Sequence, residues 1–159
     1  MKFSIIVVAL NAGEKLKETV DSVLSQSFGD YEIVVKDGGS RDGSVETLPS
    51  DERIRVFVEK DTGIYDAMNQ AVAKAKGEYV LFLNCGDSFY DETVLEQAAE
   101  CIEKNQGKAP LVVYGDTYGA KNNVLIAAPG KIDGFTCYRN IPCHQSCFEN
   151  KSYCEYLHG

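Results

Sequence analysis

Runs of apolar residues alternate along the chain with segments in which apolar residues recur at helical spacing. The apolar runs predict strands at residues 3–10, 31–36, 54–58, 78–83 and 111–115. The helical spacing predicts helices at residues 14–26, 64–76 and 91–105. Because the strands are apolar on both faces, they are typical of a parallel sheet that helices cover on both sides. The pattern therefore predicts an α/β, Rossmann-like fold with a mostly parallel central sheet flanked by helices.

The pattern weakens after residue 115. Residues 124–128 predict one more strand, whereas residues 129–159 show no periodicity that predicts an element. A chain of 159 residues without internal repeats or low-complexity linkers is long enough to bury one core. We therefore interpret residues 1–159 as a single domain.

Three residues are expected to mark helix ends. Gly77 follows the second predicted helix, a position where glycine often ends a helix. Asp91 precedes the next helix, and Asp42 precedes a short helix that we expect after the turn-rich residues 37–44, so both are predicted N-caps. Asp66, in the first turn of its helix, is interpreted as a surface charge that the helix dipole favours.

Composition and charge narrow the choice of partners. The chain is 44% apolar and 25% charged, its formal net charge is −8, and it contains no basic run. Nucleic acids and anionic membranes need a basic footprint, so neither is expected as the main partner. The chain starts at Met1 and enters an apolar run that is too short to cross a bilayer or to serve as a signal peptide. We therefore expect a cytoplasmic protein with reduced thiols.

Four of the six cysteines lie close to His144 in the sequence. They are Cys137, Cys143, Cys147 and Cys154. A zinc site is conceivable there, but the spacing lacks the paired C-x2-C knuckles of structural zinc sites, so a loop without metal is favoured.

Polar side chains follow each of the five predicted strands. These residues are Asn11, Asp37 to Ser40, Glu59 to Asp61, Asn84 to Asp87, and Asp116. The carboxyl ends of parallel strands form the ligand-binding edge of an open sheet, so an acidic rim is expected there, although loops are polar in any case. Hard cations such as Mg²⁺ and Mn²⁺ prefer carboxylate oxygens and often take further ligands from substrate phosphates. The rim therefore suits a divalent cation that carries a diphosphate.

Two common nucleotide-binding motifs are absent. The first predicted strand is followed by VALNAGEKL, which lacks the G-x-G-x-x-G fingerprint of dinucleotide-binding proteins. No G-x-x-x-x-G-K-[ST] loop occurs in the chain either. The sequence therefore argues against a nicotinamide cofactor and against a P-loop NTPase.

Two long segments resemble a known family. Residues 4–44, with SQSF and DGGSRDGS, and residues 61–87, DTGIYDAMNQAVAKAKGEYVLFLNCGD, resemble the inverting family 2 glycosyltransferases of the GT-A fold. Within that family the chain is similar to bacterial enzymes that build exopolysaccharides and other surface glycans. The resemblance implies a nucleotide-diphosphate-sugar donor, first of all a UDP-sugar, and Mn²⁺ or Mg²⁺. It also implies a glycan or lipid-linked acceptor and at most peripheral contact with the inner face of the membrane.

The resemblance also implies roles for individual residues. The expected donor-binding residues are Asn11, Asp37, Gly38, Asn69, Asn84 and Gly86. Gly38 stands where many relatives carry a second Asp. Asp87 is the carboxylate that remains in Asn84 to Asp87, where relatives often read D-x-D-D, so it is expected to bind the metal. Asn69 has an alternative interpretation as a residue that hydrogen-bonds a neighbouring loop.

The segment CHQSCFEN, residues 143–150, resembles the HQ-containing segment that the family carries on the acceptor side. His144 is accordingly a candidate for the acceptor side or for phosphate contact, with a loop histidine as the alternative. Asp116 is interpreted as a turn residue rather than a metal ligand.

The general base that an inverting transfer needs is not identified in the chain. In the family it is an Asp beyond the HQ segment, and residues 149–159 contain Glu149 and Glu155 but no Asp. The chain is therefore expected to be C-terminally truncated, with the acceptor and base region incomplete. Two alternatives stay open. One is a nucleotide-sugar-binding domain without turnover. The other is a sugar nucleotidyltransferase, which would need a glycine-rich basic loop that ALNAGEKL does not supply.

Overall fold

A computed structural model of the protein describes residues 1–105, 112–130 and 143–152. The helices in these ranges are α1 (Glu14–Leu24), α2 (Ile64–Lys74) and α3 (Val94–Lys104), with 3-10 turns at Val45–Thr47 and His144–Ser146. The strands are β1 (Phe3–Ala9), β2 (Tyr31–Asp37), β3 (Ile54–Val58), β4 (Tyr79–Phe82), β5 (Val112–Tyr114), β6 (Thr117–Gly119), β7 (Val124–Ile126) and β8 (Cys147–Asn150). No helix in the described ranges has both the length and the hydropathy needed to cross a bilayer.

Six strands form one sheet in the order β3-β2-β1-β4-β8-β5. The first four strands in this order are parallel to one another, whereas β8 runs antiparallel to both β4 and β5. β6 and β7 form a separate antiparallel hairpin. The predicted α/β fold with a mostly parallel sheet is therefore confirmed.

The central strands β1 and β2 are buried on both faces, because their side chains alternate between two apolar cores. Phe3, Ile5 and Val7 of β1 point into a core that also contains apolar side chains of α1 and α3. Ile6 points the other way, into a smaller core against α2. The double-sided apolar pattern of these strands thus has its physical origin in helices on both faces.

The predicted helix ends were wrong at Gly77 and Asp91. α2 ends at Lys74, and Gly77 lies three residues further on, with its N–H donating to Ser4 Oγ at 2.8 Å. A Cβ atom at Gly77 would lie 2.5 Å from the backbone of Phe3 and Ser4, so the glycine permits a close backbone approach. α3 has Thr93 at its N-cap, and the Asp91 carboxylate accepts hydrogen bonds from the Thr93 N–H and hydroxyl.

The expectation that residues 129–159 contain no element was wrong for β8. Its sequence, CFEN, is short and lacks the β-branched residues that favour strands. β8 forms because it pairs with strands on both sides and because Phe148 enters the main core, with its ring centroid 5.2 Å from that of Phe3. Residues 131–142 and 153–159 of the same predicted segment lie outside the described residues.

Candidate functional site

The loop after β2 is shaped by Asp37, the last residue of that strand. Its carboxylate is buried and accepts hydrogen bonds from the N–H groups of Gly39 and Ser40, both at 2.8 Å, and from the Ser40 hydroxyl. Gly39 has a φ of 100°, in the region that favours glycine. Asp37 therefore holds DGGS in a tight turn at the carboxyl end of the sheet, and its contact with a donor stays a prediction.

The loops after β1 and β2 are joined by hydrogen bonds. The Asn11 N–H donates to Ser40 Oγ at 2.8 Å, and Asn11 Oδ1 accepts from the Arg41 N–H at 3.0 Å. The Asp42 carboxylate accepts from the Gly13 N–H at 2.8 Å. These bonds bring Asn11 and Asp37 together on one rim, as the sequence predicted for residues that follow parallel strands.

The predicted N-cap role of Asp42 was wrong. The 3-10 turn at Val45–Thr47 has Ser44 at its N-cap position. Asp42 instead accepts hydrogen bonds from the Ser44 hydroxyl and N–H as well as from Gly13, and these bonds lower the pKa of its carboxyl group below the usual value. Its local role is to connect two loops of the rim.

A buried lysine ties the loop after β3 to the same rim. Lys36 is almost fully buried, and its Nζ donates to Asp61 Oδ2 at 2.9 Å and to the backbone carbonyl oxygens of Asp37 and Glu59. A Cβ atom at Gly38 would lie 2.9 Å from Asp61 Oδ2, so a side chain there would displace this carboxylate. Sequence reasoning missed Lys36, although a lysine directly after the apolar residues Ile33 to Val35 of a predicted buried strand was a visible signal.

Residues 84–87 form a tight turn directly beyond β4. The Asp87 N–H donates to the Asn84 carbonyl at 2.9 Å, and Gly86 has a φ of 96°. The buried Thr19 of α1 closes the turn, because its Oγ1 accepts from the Gly86 N–H and donates to the Asp87 carbonyl, both at 2.8 Å. The turn is thus anchored to α1, a connection that sequence reasoning missed.

Replacing Thr19 by valine is expected to destabilise the protein by about 1–3 kcal/mol, because two hydrogen bonds to the buried Thr19 hydroxyl are lost, each typically worth about 0.5–1.5 kcal/mol, while the side-chain volume stays nearly the same. Urea unfolding at equilibrium measures this difference. Thr47→Val is the matched control, because the Thr47 hydroxyl also bonds a carbonyl, that of Ser44, but lies on an exposed residue. Equal changes in the free energy of unfolding for Thr19→Val and Thr47→Val would contradict the role of Thr19 in closing the turn.

The antiparallel pairing of β4 and β8 places the HQ segment beside this turn. Residues that follow β4 meet residues that precede β8, because the two strands run in opposite directions. Gln145 Nε2 donates to Asp87 Oδ2 at 3.3 Å, and His144 Nε2 lies 3.4 Å from Asn84 Nδ2. The structure therefore brings together Asn84, Asp87 and His144, three of the predicted site residues.

A cleft of about 760 Å³ opens beside Asp87 and Gln145. One wall comes from residues 88–90 and the other from the β6–β7 hairpin with Asp116 before it. Tyr90 and Tyr118 contact each other edge to face at the cleft, with ring centroids 5.6 Å apart. Asp116 accepts a hydrogen bond from the Ala128 N–H at 2.7 Å and so braces the hairpin. The cleft is large enough for a small-molecule ligand.

Asn69 and Asp66 lie on α2. The Asp66 carboxylate accepts from the Thr62 N–H at 2.8 Å and from the Thr62 hydroxyl, so it connects the first turn of the helix to the loop that precedes it. Asn69 is exposed, and its predicted contact with a donor remains a prediction.

The residues at the turn fit a cation that takes most of its ligands from a bound diphosphate. In the described part of the chain, no three His, Cys, Asp or Glu side chains form a group that could hold a metal ion by themselves. Asp87 is partly exposed, and its carboxylate receives a long hydrogen bond from a neutral amide rather than a salt bridge. Mg²⁺ commonly binds through one or two carboxylates together with substrate phosphates and water, which is the donor set that this turn offers.

The alternative of a zinc site finds no support in the described residues. Cys143 donates to Gln145 Oε1, and the Cys147 thiol donates to the Cys143 carbonyl at 3.2 Å. Burial, with the nearby Glu149, raises the pKa of the Cys147 thiol to about 11. Cys137 and Cys154 lie outside the described residues.

Residues 4–144 match the sequence profile of the family described as "Glycosyl transferase family 2". The chain belongs to this family. It is 36% identical over 151 residues to the PGL/p-HBAD biosynthesis glycosyltransferase of Mycobacterium tuberculosis, an alignment that covers 92% of this chain and 58% of the relative. It is 34% identical over 107 residues to the putative teichuronic acid biosynthesis glycosyltransferase TuaG of Bacillus subtilis, covering 64% of this chain and 42% of the relative.

Solved glycosyltransferase structures share the fold. S. aureus TarS, residues 1–349, in complex with UDP-GlcNAc superimposes with a TM-score of 0.76 at 20% identity, covering 99% of this chain and 48% of that chain. The mannosyltransferase PcManGT from Pyrobaculum calidifontis, in complex with GDP-Man and Mn²⁺, superimposes with a TM-score of 0.74 at 20% identity. The superposition covers 99% of this chain and 47% of that chain. The family resemblance and the GT-A fold are confirmed, and the chain spans just over half the length of its Mycobacterium relative.

Proposed function

We propose that this chain is the donor-binding part of a glycosyltransferase that moves a sugar from a nucleotide diphosphate to a glycan or lipid-linked acceptor with inversion. The observation that carries the proposal is the turn at residues 84–87. It lies at the carboxyl end of β4, is fastened by Thr19, and shares a rim with the loops of Asn11 and Asp37. Complexes of two fold neighbours with UDP-GlcNAc and with GDP-Man support a nucleotide-sugar donor.

The geometry suggests how the donor lies on the rim. The joined loops of Asn11, Asp37 and Gly38 would hold the nucleoside, because their backbone is ordered by internal hydrogen bonds and Gly38 leaves room at Asp61. Asn84 and Gly86 would contact ribose and diphosphate, and Asp87 would ligate Mn²⁺ or Mg²⁺. When bound, such a cation neutralises charge on the leaving diphosphate. Asn69 is proposed as a further donor contact.

The acceptor is proposed to enter through the cleft beside Asp87. His144 stands in the sequence between Cys143 and Gln145, which line the cleft, and its Nε2 lies 3.4 Å from Asn84 Nδ2. We propose that it contacts the acceptor or a phosphate. The general base is proposed to lie in the part of the relatives that residues 1–159 do not match. If so, this chain binds the donor and turns it over slowly or not at all, which is the alternative of a binding domain.

Titration calorimetry with UDP tests the proposal. In Mn²⁺ we expect UDP to bind at least about ten-fold more tightly than in EDTA, which corresponds to about 1.4 kcal/mol. GDP and dTDP are titrated in parallel to identify the base. Absence of binding by all three nucleotides in Mn²⁺ would contradict the proposal. Release of UDP from UDP-sugars in the presence of this chain would show turnover and exclude the binding-only alternative.

A further inference from the structure

The proposed function explains a metal-binding role for Asp87 but not the hydrogen bonds that surround it. Gln145 Nε2 donates to Asp87 Oδ2 at 3.3 Å, and the Cys143 thiol donates to Gln145 Oε1. The three side chains therefore form a chain of hydrogen bonds from thiol to amide to carboxylate. The family resemblance assigned the segment 143–150 to the acceptor side, but it gave no individual role to Gln145 or Cys143.

The direction of these bonds is set by their chemistry. A carboxylate only accepts, so it needs the NH₂ group of the amide rather than its oxygen. The opposite orientation of Gln145 would place Oε1 against Asp87, two acceptors facing each other. The thiol of Cys143 is a weak donor that bonds Oε1 and so favours the orientation in which Nε2 faces Asp87.

The backbone that carries Gln145 is held on both sides. The Ser146 N–H and hydroxyl both donate to the Cys143 carbonyl at 2.9 Å, which closes the 3-10 turn. The Gly115 N–H donates to the Ser146 carbonyl at 3.1 Å, and β8 follows in the central sheet. Gln145 therefore contacts Asp87 from a hydrogen-bonded 3-10 turn that leads into the central sheet.

We propose that Gln145 is a positioning residue for the metal ligand Asp87 and that Cys143 orients Gln145. This inference rests on the proposed function. The amide holds one carboxylate oxygen, Oδ2, and leaves Oδ1 for a cation carried by a nucleotide diphosphate. Because an amide is uncharged, it orients the carboxylate without competing with the cation for its charge. Residues that hydrogen-bond metal ligands typically contribute 10–100-fold to metal affinity.

The test compares UDP binding by calorimetry in Mn²⁺ and in EDTA for a set of variants. Gln145→Leu is expected to weaken binding in Mn²⁺ about ten-fold, with binding in EDTA unchanged, because only the metal ligand loses its partner. Cys143→Ala is expected to weaken binding in Mn²⁺ by a smaller factor. Cys143→Ser is expected to restore it, since a hydroxyl can donate to Oε1 as the thiol does.

Gln97→Leu is the matched control, because it removes an exposed amide on α3 whose Nε2 donates to Thr93, away from Asp87. Equal affinities of Gln145→Leu and Gln97→Leu in Mn²⁺ would overturn the proposal. An equal loss for Gln145→Leu in Mn²⁺ and in EDTA would also overturn it, because that result indicates general damage to the site. If Gln145→Leu does not fold, Cys143→Ala and Cys143→Ser are compared instead. Equal affinities of these two variants and Gln97→Leu for UDP in Mn²⁺ would then overturn the proposal. Wild-type protein that binds no nucleotide in Mn²⁺ would instead overturn the proposed function, and this inference with it.

Discussion

Asp87→Asn is expected to abolish the Mn²⁺-dependent part of UDP binding and to leave the weak binding in EDTA unchanged. The substitution keeps the size of the side chain and removes its charge. Among residues 84–87 only Asp87 has a carboxylate, so no neighbour within the turn can replace it. The expected loss equals the whole gain in affinity that Mn²⁺ gives the wild type, so it is at least as large as the loss expected for Gln145→Leu, which removes only a partner of the metal ligand. Calorimetric titration of UDP in Mn²⁺ and in EDTA measures both quantities.

Asp116→Asn is the control that separates a specific ligand from the general acidity of the cleft. Asp116 lines the same cleft and carries the same charge, but its carboxylate braces the hairpin by accepting from the Ala128 N–H. An asparagine oxygen can accept the same bond, so the fold is expected to stay intact. Nearly equal losses of Mn²⁺-dependent UDP binding in Asp87→Asn and Asp116→Asn would show that the net charge of the cleft, and not Asp87, governs cation binding.

The parts of the fold that follow from local pattern could be predicted from the sequence. Strands β1 and β2 are apolar on both faces, and this pattern has few explanations other than a parallel sheet between helices. The position of Asp87 could be predicted as well, because a carboxylate just beyond a buried strand must lie on the ligand-binding rim. In both cases the decisive information lies within about ten residues of the chain.

The missed features depend on contacts between distant segments. β8 becomes a strand only through its pairing with β4 and β5, so its own four residues carry little signal. Thr19 has an unremarkable position in α1, and its role arises because the turn at residues 84–87 packs on that helix. Gln145 could not be related to Asp87 without β8, since the antiparallel pairing is what makes the two residues neighbours.

At the opposite end of the sheet from the candidate site, a buried carboxylate joins four segments of the chain. Glu32 of β2 is 1% exposed, and it accepts hydrogen bonds from the Ser4 hydroxyl, the Lys76 N–H and the guanidinium of Arg55. Burial raises the pKa of Glu32, but the bonds from Ser4, Arg55 and Lys76 outweigh it, so the pKa lies below the usual value of 4.5. Removing Arg55 would break its ion pair with Glu32 and leave a buried carboxylate without its counter-ion.

Arg55→Leu is therefore expected to destabilise the protein by about 3 kcal/mol, near the lower end of the range for broken buried ion pairs because Ser4 and Lys76 still bond Glu32. The loss includes the bond from Arg55 to the Lys74 carbonyl and its contact with the Phe57 ring. Urea unfolding at pH 7 measures the difference. Lys104→Leu is the matched control, because it also removes a cation from a Lys/Arg–Glu pair, but Glu100 and Lys104 are both exposed. That control is expected to leave the unfolding free energy unchanged within error.

The same pair predicts a pH dependence whose sign is fixed by the lowered pKa. Because folded Glu32 binds its proton less readily than unfolded Glu32, its contribution to stability is full above pH 4.5 and is lost as the pH falls through the folded pKa. Without Arg55 one of the bonds that lower this pKa is gone, so stability should fall less steeply with acid in Arg55→Leu than in the wild type. If the unfolding free energy falls equally steeply with decreasing pH in the wild type and in Arg55→Leu, then Arg55 does not stabilise the ionised form of Glu32. The destabilisation at pH 7 would then have to come from lost packing on Phe57.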